Sequence, residues 1–116
     1  MVLIRIDAVV ASEKVSMVVD ALKKVGVGGI TVFDAKGWGK GRRSQITSSR
    51  GTGSYIAEYN ARNYLFTVIE DGLVDKVISA IADAAGTGSV GDGKIFVTKI
   101  DDAVDIGSKQ KGIHAI

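Results

Sequence analysis

The chain has 116 residues, no cysteine, a single histidine (His114) and a net charge of +2 from 15 basic and 13 acidic side chains. This length favours one compact domain, and the near balance of charge requires neither nucleic acid nor an acidic membrane as a partner. Without cysteine there is no disulfide or thiolate metal site, and one histidine excludes a multi-histidine site or a Ser/His/Asp triad within the chain.

The first third of the chain predicts a strand, an amphipathic helix and a second strand. Residues 2–10 are apolar or β-branched apart from the charged Arg5 and Asp7 and have alternating faces, and residues 30–36 also predict a strand. Ser12 is expected to cap the helix with its hydroxyl oxygen, and Gly26 is expected to end it. The apolar stripe of this helix consists of Val15, Val18, Val19, Leu22 and Val25.

A glycine-rich and basic segment, residues 37–62, is predicted to be a long loop. It contains five glycines, and its first half has nothing that packs a core. Because a structureless stretch of this length is uncommon inside a compact domain, the segment is interpreted as functional.

The second half repeats the pattern of the first. Residues 63–69 predict a third strand, Asp71 is expected to cap a second helix that ends at Gly86, and residues 94–100 predict a fourth strand. The tail, residues 101–116, is polar and weakly patterned. The stripe of the second helix consists of Val74, Val77, Ile78, Ile81 and Ala85.

The order strand, helix, strand, loop, strand, helix, strand predicts an α+β fold, the ferredoxin-like βαββαβ sandwich with an antiparallel sheet. Both helices then cover one face of the sheet. Because no element is left for the other face, self-association is predicted there. Candidates for that face are Leu3, Val9, Thr31 and Phe33.

Two glycine-rich segments are candidates for anion binding. The first, residues 36–43, combines three glycines with basic side chains, although composition alone favours a solvated hairpin tip. The second, residues 87–94, could form a concave nest of backbone N–H groups beside Lys94, and an ordinary glycine-rich turn is the alternative. It is not a Walker A loop, because Ile95 follows Lys94.

Other function classes have less support. Arg50, Tyr55, Tyr59 and Arg62 are compatible with stacking on RNA, but the RNP1 pattern is missing and nucleic-acid binding is not predicted. No pair of carboxylates stands out as an acid/base couple, so no catalytic residue and no enzyme are predicted. The start lacks the pattern of a secretory signal and no apolar run approaches about 20 residues, so a cytoplasmic protein is expected.

Together, in this order and on this topology, the two segments resemble the PII signal-transduction family. Residues 29–39, read as GITVFDAKGWG, match a G-[MI]-T-V-x-x-x-K-G-[FW]-G pattern, and residues 87–96, TGSVGDGKIF, match T-G-x-x-G-D-G-K-I-F. The resemblance extends from about residue 2 to residue 100. It implies a homotrimer with ATP or ADP in the clefts between subunits, and a mobile T-loop that docks on a protein target such as an ammonium transporter.

The resemblance also implies roles for individual residues. It places the T-loop at about residues 39–62, the nucleotide loop at 86–94 and the tail at 101–116. Nucleotide contacts are expected at Thr31, Gly37, Gly39, Val68, Gly88, Gly91, Asp92, Gly93 and Lys94. Ligand or target contacts are expected at Gly41, Arg42, Arg43, Arg50, Tyr55 and Arg62, and Tyr55 matches the tyrosine that some bacterial members have uridylylated.

Four positions depart from the family pattern. Gly41 replaces a glutamine that helps to bind magnesium and 2-oxoglutarate, and Arg62 replaces a lysine that pairs with 2-oxoglutarate. Asp105 and Gly107 replace two phosphate-binding arginines. We therefore expect ADP or AMP to bind at least as well as ATP, with little response to 2-oxoglutarate and no metal site. The alternatives are a PII-like sensor of adenylate charge or bicarbonate beside a transporter or carboxysome system, and a small enzyme that uses Lys94.

Overall fold

The computed structural model describes residues 2–39, 45–47, 54–56 and 59–116. Short 3-10 turns precede both α-helices, at Ser12–Lys14 and Asp71–Leu73, and another lies at Gly112–Ala115. The main elements in chain order are β1 (Leu3–Ala11), α1 (Val15–Val25), β2 (Thr31–Gly37), β3 (Gln45–Thr47), β4 (Ser54–Ile56), β5 (Asn60–Glu70), α2 (Val74–Ala85) and β6 (Gly93–Ile100).

Four of the strands form one antiparallel sheet in the order β2-β5-β1-β6, and β3 pairs with β4 in a separate two-stranded sheet. Strand β1 lies in the centre, where Val9 is opposite Tyr64 on β5 and Lys94 on β6. With both helices on one face, this is the predicted ferredoxin-like α+β arrangement, which is confirmed.

The core lies between the helices and one face of the sheet. It is built from alternate residues of β1 and β5 and from most of the stripe residues predicted for α1 and α2, although Val19 and Ile78 do not belong to it. Because strand side chains alternate between faces, Ile6, Ala8 and Val10 point to the helices while Arg5, Asp7 and Val9 point away. Fully buried members of the core include Ile6, Val18, Leu22, Leu65, Val77 and Ile81.

The predicted helix ends are partly correct. Gly26 ends α1 in the left-handed conformation, at φ 93°, and its N–H donates to the carbonyls of Leu22 and Lys23. Gly86 follows α2 as predicted, with an extended backbone. The caps predicted at Ser12 and Asp71 are wrong, because each residue begins a 3-10 turn and neither helix has a side-chain cap.

The predicted long loop contains more structure than expected. Strand β5 begins at Asn60, so Arg62 lies within a strand, and Tyr55 lies in β4 opposite Ile46. Four of the residues predicted to contact a ligand or target lie outside the described residues: Gly41, Arg42, Arg43 and Arg50. In the described part of the chain, no helix is long and apolar enough to cross a membrane.

The second face of the sheet is more polar than predicted. Its centre is an ion pair, with Arg5 Nε 2.8 Å from Asp7 Oδ1 and Nη2 2.9 Å from Oδ2, and the Tyr64 hydroxyl also donates to Asp7. The Arg5 guanidinium lies 4.1 Å from the centre of the Phe66 ring. Of the residues predicted for this face, Leu3 is buried and Phe33 is half exposed. The Phe33 ring stacks on the Tyr64 ring, with 4.9 Å between the ring centroids. This surface, centred on Arg5, Asp7 and Tyr64, is the open face of the sheet.

Candidate functional site

A cleft of about 360 Å³ lies at one end of the open face, where the end of β2 meets the glycine loop, residues 86–93, and the start of β6. It brings together the two segments that the sequence singled out, which are far apart along the chain. Five of the predicted nucleotide contacts line it, namely Gly37, Gly39, Gly91, Gly93 and Lys94. Arg62, predicted as a ligand or target contact, lines the same cleft.

The glycine loop is organised by the carboxylate of Asp92. This carboxylate accepts hydrogen bonds from the Thr87 hydroxyl at 2.6 Å and from the backbone N–H groups of Thr87, Gly88 and Ser89 at 2.6, 3.1 and 3.3 Å. Hydrogen bonds from the Thr87 hydroxyl and amide lower the pKa of Asp92. The predicted nest of N–H groups therefore exists at residues 87–89, and the anion that it holds is the protein's own side chain.

Two glycines of the loop have backbone conformations that other residues rarely adopt. Gly91 has φ 99° and Gly93 has φ 132°. A Cβ atom on Gly93 would lie only 1.9 Å from the carbonyl oxygen of Val9 on the neighbouring strand. The turn into β6 therefore requires glycine for both conformation and space.

Four predicted nucleotide contacts do not line the cleft of the single chain, and Asp92, whose carboxylate holds the glycine loop, is one of them. Thr31 and Val68 lie elsewhere on the open face, where Thr31 pairs with Phe66 and Val68 pairs with Arg5. The amide of Gly88 is bonded to Asp92. Their roles in binding stay predictions.

Several lining residues were missed by the sequence analysis. Val9 could have been found from the topology, since it is the register partner of Lys94 across the β1–β6 pair. The others are large or polar side chains for which the sequence carries no periodic signal: Trp38, Asn60, Val90 and Phe96. Trp38 and Val90 are 65% and 72% exposed in the single chain, so they offer apolar surface to a flat ligand.

The tail forms a tight turn in which Val104 pairs with Lys111. The Asp105 carboxylate accepts hydrogen bonds from the backbone N–H and the hydroxyl of Ser108, both at 2.8 Å, and these bonds lower its pKa. A negative side chain engaged in a turn thus occupies a position where the resemblance to the PII family implies a phosphate-binding arginine.

Chemically, the cleft combines cations with apolar surface. Lys94 and Arg62 attract an anionic group, and glycine backbone allows that group to approach closely. Within the described ranges, no cluster of three histidine or acidic residues could hold a metal ion. The arrangement is suited to binding a ligand that has an anionic part and a flat apolar part.

Substitution of Asp92 by asparagine is expected to loosen the glycine loop, because the amide keeps one acceptor oxygen but loses the charge that strengthens the Thr87, Gly88 and Ser89 hydrogen bonds. Hydrogen exchange measured by mass spectrometry should become several times faster across these residues. Asp83→Asn, an exposed change on α2, is the matched control. Unchanged exchange in Asp92→Asn would contradict the assigned role.

Comparison of the sequence with known proteins shows the family to which the chain belongs. The profile of the family described as nitrogen regulatory protein P-II matches residues 3–110. The chain belongs to this family. It is 40% identical over 112 residues to the nitrogen regulatory protein P-II of Azospirillum brasilense, covering 97% of this chain and 98% of the relative. It is also 37% identical over 112 residues to nitrogen regulatory protein P-II 1 of Methanothermobacter thermautotrophicus, covering 97% and 96%.

Solved structures give the same result for the fold. The structure of Bacillus subtilis GlnK matches with a TM-score of 0.78 and 25% identity over the full length of both chains. A B. subtilis GlnK-ATP complex matches equally well, covering 99% of this chain and 98% of that one. As a member of the nitrogen regulatory P-II family, the protein is a regulatory protein and not an enzyme.

Proposed function

We propose that this P-II protein binds an adenine nucleotide in the cleft and that occupancy of the cleft controls a protein target through the T-loop, residues 39–62. The observation that carries the proposal is the convergence of Gly37, Gly39, the glycine loop and Lys94 on one cleft. The GlnK-ATP complex, which has the same fold, supports adenine nucleotide as the ligand.

The chemistry of the cleft suggests how the nucleotide lies. Its phosphates fit beside Lys94 and the backbone of Gly91 and Gly93, where positive charge and the absence of side chains favour an anion. The base fits against the exposed apolar side chains of Trp38 and Val90. Bound phosphates would then bias the T-loop, which continues from Gly39, towards the conformers that fit the target.

The proposed assembly is a homotrimer in which neighbouring subunits cover the open face. The strand register places three residues of the cleft on the open face, namely Val9, Arg62 and Lys94. A second subunit that covered this face would therefore close the cleft. Half-exposed Phe33 and Phe96 are the apolar groups that such packing would bury. The proposed target is a cytoplasm-facing ammonium transporter or another protein of nitrogen metabolism.

The proposed preference is for ADP or AMP over ATP, with little response to 2-oxoglutarate. It rests on Asp105 and Gly107 in the tail, which remove two cations that would favour the most highly charged nucleotide. The departures from the family pattern leave room for a second candidate, a PII-like sensor of adenylate charge or bicarbonate that acts on a transporter or carboxysome system.

Calorimetric titration with ATP, ADP and AMP, each with and without 2-oxoglutarate and magnesium, tests the proposal. We expect measurable binding of ADP or AMP that 2-oxoglutarate leaves unchanged. No binding of any adenine nucleotide would overturn the proposed function, whereas tight MgATP binding strengthened by 2-oxoglutarate would overturn only the preference.

Removal of the Lys94 ammonium is expected to weaken nucleotide binding by about tenfold to a hundredfold, because a charge-assisted contact contributes about 1.5–3 kcal/mol. Lys94→Ala is compared with Lys99→Ala, which removes an exposed lysine from the same strand, β6, on the opposite face. Dissociation constants from titration give the result. Equal effects of the two substitutions would contradict the placement of the phosphates at Lys94.

A further inference from the structure

Arg62 connects three parts of the molecule. Its backbone lies in β5, where it pairs with Ala35 of β2, and its Nη2 donates a hydrogen bond of 2.9 Å to the carbonyl oxygen of Gly91 in the glycine loop. Its methylene stem passes over Gly37 at the end of β2, so one side chain touches both glycine-rich segments that flank the cleft.

We propose that Arg62 is a positioning residue, which ties the glycine loop to the central sheet and holds the cleft in its binding shape before any ligand enters. The effect of Arg62 on nucleotide affinity rests on the proposed function. Its effect on the order of the glycine loop does not. This positioning role differs from the role predicted for Arg62 by the sequence, which was direct contact with a ligand or target.

Local geometry explains why an arginine suits this role. The Gly91 carbonyl belongs to a loop with an unusual backbone, since Gly91 has φ 99°. Asp92 holds only the N-terminal half of this loop, at residues 87–89. Arg62 supplies the second attachment, from the sheet side. A guanidinium carries several donors in a fixed plane, so one N–H can hold the carbonyl while others remain directed at the cleft.

Gly37 is the complementary half of this arrangement. Gly37 pairs with Asn60, and Arg62 lies two residues further along β5, so Gly37 and Arg62 are diagonal neighbours on one face of the sheet. A Cβ atom on Gly37 would lie 2.9 Å from Cγ of Arg62 and 3.5 Å from its Nε. Glycine at this position therefore makes room for the stem of Arg62, and alanine would push the guanidinium away from Gly91.

A double-mutant cycle between Gly37→Ala and Arg62→Ala tests the proposal. Hydrogen exchange of residues 87–93 is measured without nucleotide in the parent, both single variants and the double variant. Arg62→Ala is expected to speed exchange by roughly threefold to tenfold, as loss of one hydrogen bond to a partly solvated group implies. The single variant Gly37→Ala should show a similar increase in the exchange rate. In the double variant, the exchange rate should be no higher than in Arg62→Ala alone.

Two further variants separate this role from general destabilisation. Gly29→Ala places a methyl group in open space just before β2 and should leave exchange in the glycine loop unchanged. Arg62→Lys retains a flexible cationic donor and should restore part of the protection lost in Arg62→Ala. Circular dichroism of each variant verifies that the sheet is intact.

The proposal is overturned if Arg62→Ala leaves exchange of residues 87–93 unchanged, or if the effects of the two single substitutions simply add. Affinity for ADP, measured in the same four proteins, should fall in parallel with loop protection. Absence of ADP binding in the parent would instead refute the proposed function, and the exchange experiment would still decide the role of Arg62.

Discussion

Replacement of Gly93 by alanine is expected to lower the free energy of unfolding by about 2–5 kcal/mol and to abolish ligand binding in the cleft. At φ 132° the backbone is in a region that side chains rarely adopt, and a Cβ atom would lie 1.9 Å from the Val9 carbonyl oxygen. Because that oxygen belongs to the central strand β1, relief of the overlap requires movement of β1 or of the first residues of β6.

Gly88→Ala is the matched control for this prediction. Gly88 also has a positive φ, 84°, but a Cβ atom there would meet nothing within 4 Å. Its expected cost is conformational only, about 1–2 kcal/mol. Urea denaturation followed by circular dichroism measures both variants. If Gly93→Ala is no less stable than Gly88→Ala, the close approach of Gly93 to β1 is not a constraint on the fold.

The sequence predicts the fold well because the periodic signals are strong and agree with one another. Alternation in residues 2–10 and the helical stripes ending at Val25 and Ala85 correctly separate the faces of β1, α1 and α2. Gly26 is recognisable because a left-handed helix end selects glycine. The predicted caps are wrong because a serine or aspartate before a helix can begin a 3-10 turn equally well.

The site is less predictable, because it depends on contacts between residues distant in sequence. The glycine-rich composition of residues 87–94 suggested an anion nest, but only the structure shows that Asp92 fills its first half. Likewise, Arg62 is 29 residues from Gly91 along the chain, and nothing in the composition joins them. Residue types can suggest the class of ligand, whereas the partners within the site require the three-dimensional register.

The polar centre of the open face was also missed. Arg5 and Asp7 have ordinary interpretations as charged residues on a strand, since strand faces alternate and the second face could have been solvated. The decisive fact is that Tyr64, from β5, donates to the same carboxylate while Phe66 lies under the guanidinium. This network fixes two neighbouring strands on the face that the proposed homotrimer would cover.

Loss of the Asp7 carboxylate is accordingly expected to destabilise the protein strongly. Asp7 is 5% exposed, and Asp7→Ala leaves both Arg5 and the Tyr64 hydroxyl without this acceptor. Removal of one member of a buried ion pair costs about 3–5 kcal/mol, and we expect about 1–3 kcal/mol here because the Arg5 side chain is 40% exposed. Asp20→Ala, at an exposed position on α1, is the control and should change the free energy of unfolding little.

The pH dependence of the free energy of unfolding distinguishes the loss of the Asp7 charge from a change in packing. Burial alone would raise the pKa of Asp7, but hydrogen bonds from Arg5 and Tyr64 and the charge of Arg5 outweigh burial and lower it below its ordinary value of 3.8. A carboxyl with a lowered pKa stabilises the fold fully above the unfolded value and loses this effect as the pH falls through the folded value. The difference in unfolding free energy between the parent and Asp7→Asn should therefore be constant near neutral pH and shrink below about pH 3.8.

Urea denaturation at fixed protein concentration, repeated from pH 7 to pH 3, measures this difference. A difference that stays constant over the whole range would show that Asp7 contributes by shape and not by its charge.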